Sequence, residues 1–208
     1  MTPASLVRKL RAEDRQDVAA LLARAFDDDP LATYIFPDNR VRARGLRRFF
    51  DIQLRAMFLG AGESHGAALD GGGGLRAAAL WLPPGRPAAG LGAVLRLVPL
   101  LRYTGRRTAR TLRLLGAVDA KHPRAPHYYL GVLGTDPPVQ GQGLGSAVMA
   151  PVLERCDAEG LPAYLESSKE RNVPFYRRHG FEVVDELHVA GAPPLWLMWR
   201  EPHPPGAG

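Results

Sequence analysis

Thr135-Asp136-Pro137-Pro138-Val139-Gln140-Gly141-Gln142-Gly143-Leu144-Gly145-Ser146 is the stretch on which the fold turns. An aromatic and β-branched run, His127–Leu133, leads into it as a strand. Leu144, Ala147, Val148, Val152 and Leu153 recur at helical spacing beyond it, so a helix is expected over Gly143–Ala158. Three glycines at alternate positions let the backbone bend tightly and expose successive N–H groups. The helix adds its own unpaired N–H groups and positive dipole end. Such a strand–turn–helix unit suits a phosphate or pyrophosphate. No Lys precedes Ser146, which excludes a Walker A loop. Ser146 stands where a dinucleotide fingerprint needs its third glycine, and Pro137–Gln140 separates the strand from the turn.

Outward from this unit, strand and helix patterns alternate. Ser5–Arg11 reads as a strand. A helix follows Ala12-Glu13-Asp14, with Val18, Leu21, Leu22, Ala25 and Phe26 on one face, and Asp27-Asp28-Asp29-Pro30 ends it. A second helix is expected over Asn39–Phe58. His65–Leu69 and Leu75–Leu82 read as strands around the Asp70–Gly74 turn, and Ala88–Val118 as helical in two pieces. Pro162–Glu166, Phe181–Val184 and Leu195–Trp199 are strand-like, with a short helix over Asn172–His179. The expected class is α/β (α+β), one domain over residues 1–200 with a disordered tail at 201–208.

Composition narrows the function classes. The chain has 208 residues, 46% hydrophobic and 23% charged, near the globular average. Its net charge of +6 comes from 27 Lys+Arg against 21 Asp+Glu. Only Lys9, Lys121 and Lys169 are lysines, a bias that speaks against a nucleic-acid surface. The arginines over Arg96–Arg113 read as a solvated basic face. No apolar run is long enough for a membrane span, and Met1–Arg11 carries no signal segment. Cys156 is alone and the six His show no metal spacing, so no metal is expected. A cytoplasmic protein, monomeric or homodimeric, follows as the expectation. Gly62-Glu63-Ser64-His65-Gly66 fits a hydrolase elbow in letters but sits between a helix and a strand, the wrong order for one.

Gln140-x-x-Gly143-x-Gly145 resembles the acetyl-CoA loop of the GCN5-related N-acetyltransferase (GNAT) superfamily. Asn172-Val173-Pro174-Phe175-Tyr176-Arg177-Arg178-His179-Gly180-Phe181 resembles that family's later Asn-x-x-x-Tyr-x-x-x-Gly-Phe segment, in the expected order. Ala25-Phe26, Asp29-Pro30, Leu165-Glu166-Ser167-Ser168 and Arg171–Tyr176 carry a further similarity to the puromycin N-acetyltransferase branch. That similarity is close after His127 and loose from Arg40 to Arg124.

The resemblance implies a GNAT fold: a mixed central sheet splayed at a V-shaped cofactor cleft and flanked by helices. It implies acetyl transfer from acetyl-CoA to a primary amine of a small molecule, with an aminonucleoside antibiotic as one option. Leu133, Gly134 and Thr135 would pair with the pantetheine arm. Gln140, Gly141, Gln142, Gly143, Leu144, Gly145 and Ser146 would hold the pyrophosphate, and Asn172 would reach the cofactor arm. Tyr176 would act as general acid toward the thiolate and would also line the cofactor site. Glu166 would deprotonate or hold the amine. Asp27, Asp29, Tyr34 and Phe36 would line the acceptor side, or serve as a helix terminus and its packing. Asp136, Tyr128, Tyr129 and His127 are secondary candidates for the task given to Glu166. An acyl-CoA-binding module without turnover, or acetylation of a protein amine, are the alternatives.

Overall fold

The structure is a computed structural model that describes residues 5–69, 73–86, 103 and 107–203. Seven strands form one mixed sheet: β1 (Ser5–Lys9), β2 (His65–Leu69), β3 (Ala77–Leu82), β4 (Tyr128–Thr135), β5 (Ala163–Ser167), β6 (Glu182–Leu187) and β7 (Leu195–Arg200). Their order is β1-β2-β3-β4-β5-β7-β6. Only β4 and β5 run parallel, and they pair over Tyr128–Leu130 against Ala163–Leu165 and no further. Beyond Leu130, β4 continues to Thr135 without a β5 partner, so the sheet opens there.

The described helices are α1 (Arg15–Ala25), α2 (Pro30–Ile35), α3 (Asn39–Gln53), α4 (Thr108–Lys121), α5 (Leu144–Glu159) and α6 (Val173–Arg177). Each sheet face has its own core. Leu80, Leu82, Val132, Tyr164 and Leu197 meet α1, α3 and α4 on one face. Ala79, Trp81, Leu130, Leu165 and Met198 meet α5 and α6 on the other. β3 is buried along its whole length, which is why Ala77–Leu82 reads as an unbroken apolar run.

Two local features shape the opening. Leu80 opposes Val132 while Trp81 opposes Leu130, so Gly131 is an extra residue in β4. A Cβ there would lie 2.6 Å from the Phe58 ring, so the bulge needs glycine. At Gly134 a Cβ would lie 2.6 Å from Leu22, which shows how closely α1 packs on β4.

Within the described residues the expected elements recur with shifted ends, and one changes in kind along its length. α1 ends at Ala25, ahead of Asp27–Pro30 as expected; Asp29 is extended and caps a further helix, α2, by accepting the Leu31 and Ala32 N–H groups at 2.9 and 3.1 Å, and Pro30 takes its first helical position. The helix expected over Asn39–Phe58 is α-helical to Gln53 and widens to a π turn over Leu54–Phe58, which seats Phe58 against Gly131. Of the Ala88–Val118 pattern, only its end falls within α4. Its first piece with Arg96, Arg102 and Arg106, the start of the Asp70–Gly74 turn, and residues 204–208 lie outside the described residues.

Candidate active site

The glycine-rich stretch forms the floor of a cleft at the opening of the sheet. Asp136 anchors its start. The carboxylate is buried and takes Arg24 at 2.8 Å and Arg76 at 3.1 Å, which hold it below the ordinary carboxylate range. Gln140 turns back to donate to the Thr135 carbonyl at 3.2 Å. Gly141 and Gly143 adopt φ of +78° and +82°, the left-handed region that favours glycine. Gly143 is the N-cap of α5 and has no side chain to cap it. The first-turn N–H groups of α5 are therefore free for a ligand anion.

The cleft has a volume of about 440 Å³. Leu133, Gly134 and Thr135 form one wall, on the β4 edge that β5 leaves unpaired. Gln140, Gly141, Gly143, Leu144, Gly145 and Ser146 form the floor; Gln142 belongs to the turn but not to the lining. Asn172, Phe175 and Tyr176 form the opposite wall. A Cβ on Gly145 would touch Phe175 at 3.4 Å, so its absence keeps floor and wall apart. Lys169, Arg171 and Arg178 add cationic groups to the lining, the first two paired with Asp28 at 2.6 and 2.9 Å. This donor set suits a ligand with an extended amide arm and a phosphorylated end.

Tyr176 is 8% exposed, and its hydroxyl makes no hydrogen bond among the described residues. Its ring packs edge-on to Phe175 and Phe181. Burial, with a smaller contribution from Asp29, raises its proton affinity above that of an ordinary phenol. Asp29 also lines the cleft and accepts the Ser168 hydroxyl hydrogen at 2.6 Å.

Glu166 sits one residue past the last β4–β5 pair. It lies on the α1–α4 face with Tyr129, Tyr164, His122 and His127. Oε2 accepts the Tyr129 hydroxyl hydrogen at 2.8 Å, whereas Oε1 is buried without a partner. The opening thus separates Glu166 from Tyr176, which belongs to the core of the α5–α6 face.

Other expected residues have structural partners. Tyr34 and Phe36 lie in the hydrophobic core, not on the cleft. α2 turns them inward: Phe36 packs on Gly45 and Phe49, and Tyr34 lies beneath the Arg110 guanidinium at 4.3 Å. Asp136 is an ion-pair anchor, and Tyr128 donates to Glu159 at 2.8 Å. Ser64 accepts the Trp81 N–H at 3.2 Å within the sheet rather than sitting on an elbow. Cys156 is fully buried and its thiol is pushed up to about 12, which removes it as a nucleophile. Among the described residues no group of three or more His, Cys, Asp or Glu could hold a metal ion. No described helix is long and apolar enough to cross a membrane. Sequence reasoning missed His122 and Tyr164, whose only sequence cue is the aromatic content of the strands around them.

Residues 97–181 match the acetyltransferase (GNAT) family. An uncharacterised N-acetyltransferase of Schizosaccharomyces pombe is 29% identical over 94% of this chain and 83% of its own length. The crystal structure of a histone acetyltransferase HPA2 and related acetyltransferase from Corynebacterium glutamicum superimposes with a TM-score of 0.73. It is 26% identical, over 99% of both chains. Arylalkylamine N-acetyltransferase 2 of Aedes aegypti shares the fold at a TM-score of 0.67 and 12% identity, over 96% of this chain and 99% of its own.

Proposed function

We propose that this chain is an acetyl-transferring enzyme of the GNAT superfamily and moves acetyl from acetyl-CoA to a primary amine of a small molecule. One observation carries the reading. The gap between β4 and β5 opens onto glycine-shaped N–H donors on one side and a buried, unbonded phenol on the other.

The thioester supplies the acetyl group and a thiolate leaving group when acetyl-CoA is bound. The Gly141–Ser146 backbone and the N-terminus of α5 hold its pyrophosphate. The free β4 edge over Leu133–Thr135 pairs with its arm as a strand would, and Asn172 reaches the same arm. A β4 main-chain N–H near Leu133 donates to the acetyl carbonyl oxygen as charge develops there. Tyr176 keeps its proton at neutral pH and delivers it to the departing sulfur. Glu166 faces the acceptor amine and prepares it for attack, because an ammonium has no lone pair to attack with. The carboxylate in an enclosure of Tyr129, Tyr164 and His122 favours a cationic, flat acceptor. An aminonucleoside such as puromycin fits that description, in keeping with the branch the sequence resembles.

The deciding experiment is CoA release from acetyl-CoA by the purified protein across a panel of amines that includes puromycin. Stimulation by puromycin supports the acceptor as well as the reaction, and stimulation by another amine moves only the acceptor. Acetyl-CoA binding with no amine turned over favours a binding module. Absence of acetyl-CoA binding overturns the reading of the cleft.

A further inference from the structure

We propose that His122 is a positioning residue for the transfer: it stands against Glu166 so that the two together take up one proton, the one the acceptor ammonium loses before it attacks. The proposal rests on the reading of Glu166 as the residue that faces the amine.

The hydrogen-bond chain fixes the ring chemistry from its far end. His127 Nδ1 lies 2.7 Å from the Ala125 carbonyl oxygen. A carbonyl only accepts, so that nitrogen carries a hydrogen. Burial lowers His127's proton affinity, which leaves its other nitrogen, Nε2, bare. His122 Nε2 is 3.2 Å from that bare nitrogen, a contact that only a hydrogen on His122 can fill. In the neutral His122 ring, Nδ1 is therefore the bare one. It faces Glu166 Oε1 at 3.6 Å.

That carboxylate oxygen is buried and has no hydrogen-bond partner, while its twin is occupied by Tyr129. The two unprotonated atoms stand 3.6 Å apart, beyond hydrogen-bond length. One added proton between them turns a repulsion into an attraction, and a small approach completes a charge-assisted bond. Tyr129 and Tyr164 hold the His122 plane edge-on, with ring centroids at 4.8 and 5.2 Å. Burial raises the proton affinity of both phenols, so neither yields a proton to the pair. Lys121, next to His122, is engaged by Asp185 of β6 at 2.6 Å. Among the described residues, the groups that face the pair are these two phenols, His127 and this ion pair.

The proton count closes. The acceptor ammonium breaks one N–H bond, leaves the electron pair on nitrogen and gives the proton to the Glu166–His122 pair. The nitrogen then bonds the acetyl carbon as the carbon–sulfur bond breaks. Tyr176 protonates the sulfur and recovers a proton from the second N–H of the nitrogen as the amide forms. One proton remains on the pair and leaves to solvent, matching the one proton released when an ammonium becomes an amide at the expense of a thioester.

Two experiments on the full chain test this. In the first, the pH dependence of kcat/KM for a turned-over amine is compared between wild type and His122→Asn. The acidic limb is expected to move to lower pH, because a carboxylate without the imidazole beside it is the weaker base. The plateau is expected to fall at least about tenfold, with the KM for acetyl-CoA unchanged. An unmoved limb overturns the proposal. The second needs no acceptor, so it separates this failure from failure of the functional reading. Imidazole ¹⁵N NMR of the resting protein is expected to show His122 with a bare Nδ1 at pH 9, and the resonance of that nitrogen is expected to shift in Glu166→Gln. A His122 Nδ1 that is protonated at pH 9, or a resonance indifferent to Glu166→Gln, overturns the pairing.

Discussion

Replacing Tyr176 with Phe removes one oxygen from a site where nothing else depends on it. The hydroxyl has no hydrogen-bond partner among the described residues, so its loss orphans no donor or acceptor. The ring keeps its contacts with Phe175 and Phe181, at centroid distances of 5.3 and 6.1 Å. Stability should therefore change by less than about 0.5 kcal/mol. Catalysis should change far more. General acid catalysis contributes about 10²–10⁴-fold, which is about 3–5 kcal/mol of transition-state stabilisation. Burial raises the proton affinity of this phenol above its ordinary value near 10, so its proton passes to a less basic thiolate only late in the reaction. That places the expected loss in kcat near the lower figure, about 100-fold. The sign for pH follows as well: a phenol of raised pKa stays protonated below about pH 10, so Tyr176 adds no basic limb to the wild-type profile at lower pH. Steady-state CoA release, thermal melting and acetyl-CoA titration of the variant read the three quantities separately. A kcat within threefold of wild type would refute the acid. A large fall in melting temperature would refute the claim that the hydroxyl is structurally idle.

Gly143→Ala places a side chain at φ +82°, which costs about 1–2 kcal/mol, and distorts the N-cap of α5. Its melting temperature should fall by a few degrees and its KM for acetyl-CoA should rise several-fold. Asp136→Asn releases Arg24 and Arg76, both partly exposed and able to rehydrate, so the cost should be about 1–2 kcal/mol by chemical denaturation. The same carboxylate sits below its ordinary value when folded. Its contribution is therefore present above about pH 4, is lost as pH falls through the folded value, and should make acid unfolding of wild type steeper than that of the variant. Cys156, buried with its thiol raised to about 12, should react with iodoacetamide at pH 8 only at the rate at which the protein opens; fast labelling of the folded protein would contradict its burial.

The glycine-rich turn was legible because its chemistry is backbone chemistry. Gly141, Gly143 and Gly145 act by lacking a Cβ, and a residue that acts by absence declares itself in the sequence. Asp29-Pro30 was half legible because the same dipeptide carries two instructions. Proline disfavours helix in the residue before it and favours the first position of a helix after it. Both apply: α1 is over by Ala25 and Asp29 is extended, while Pro30 opens α2, which the sequence pattern does not announce. Of the two roles open to Tyr34 and Phe36 in the sequence, packing beside a helix terminus is the one the structure places them in. His122 was illegible for a different reason. It lies far from Glu166 in the chain, and their meeting depends on where α4 ends against the sheet.

The Gly131 bulge connects these parts. A regular β4 would alternate its residues between the faces from Tyr128 to Thr135. The extra residue instead leaves Val132 and Gly134 on the α1–α4 face and sends Leu133 and Thr135 toward the cleft beside α5. The shift falls one residue after the last β4–β5 pair, so the strand re-aims where its parallel neighbour departs. The proposed acid and the proposed proton acceptor consequently stand on opposite faces of one sheet, on either side of the place where β4 and β5 part. In the proposed reaction the acetyl group lies in that gap, the sulfur leaves toward Tyr176 and the amine arrives from Glu166. Such an arrangement keeps the two proton transfers apart, so the group that must hold a proton and the group that must take one cannot neutralise each other. A side chain on Gly131 would push against Phe58 and Tyr129, and so strain the bulge and the Tyr129–Glu166 contact. Gly131→Ala should therefore reduce turnover while acetyl-CoA still binds the Gly141–Ser146 floor, and loss of acetyl-CoA binding in that variant would show that bulge and floor are not separable.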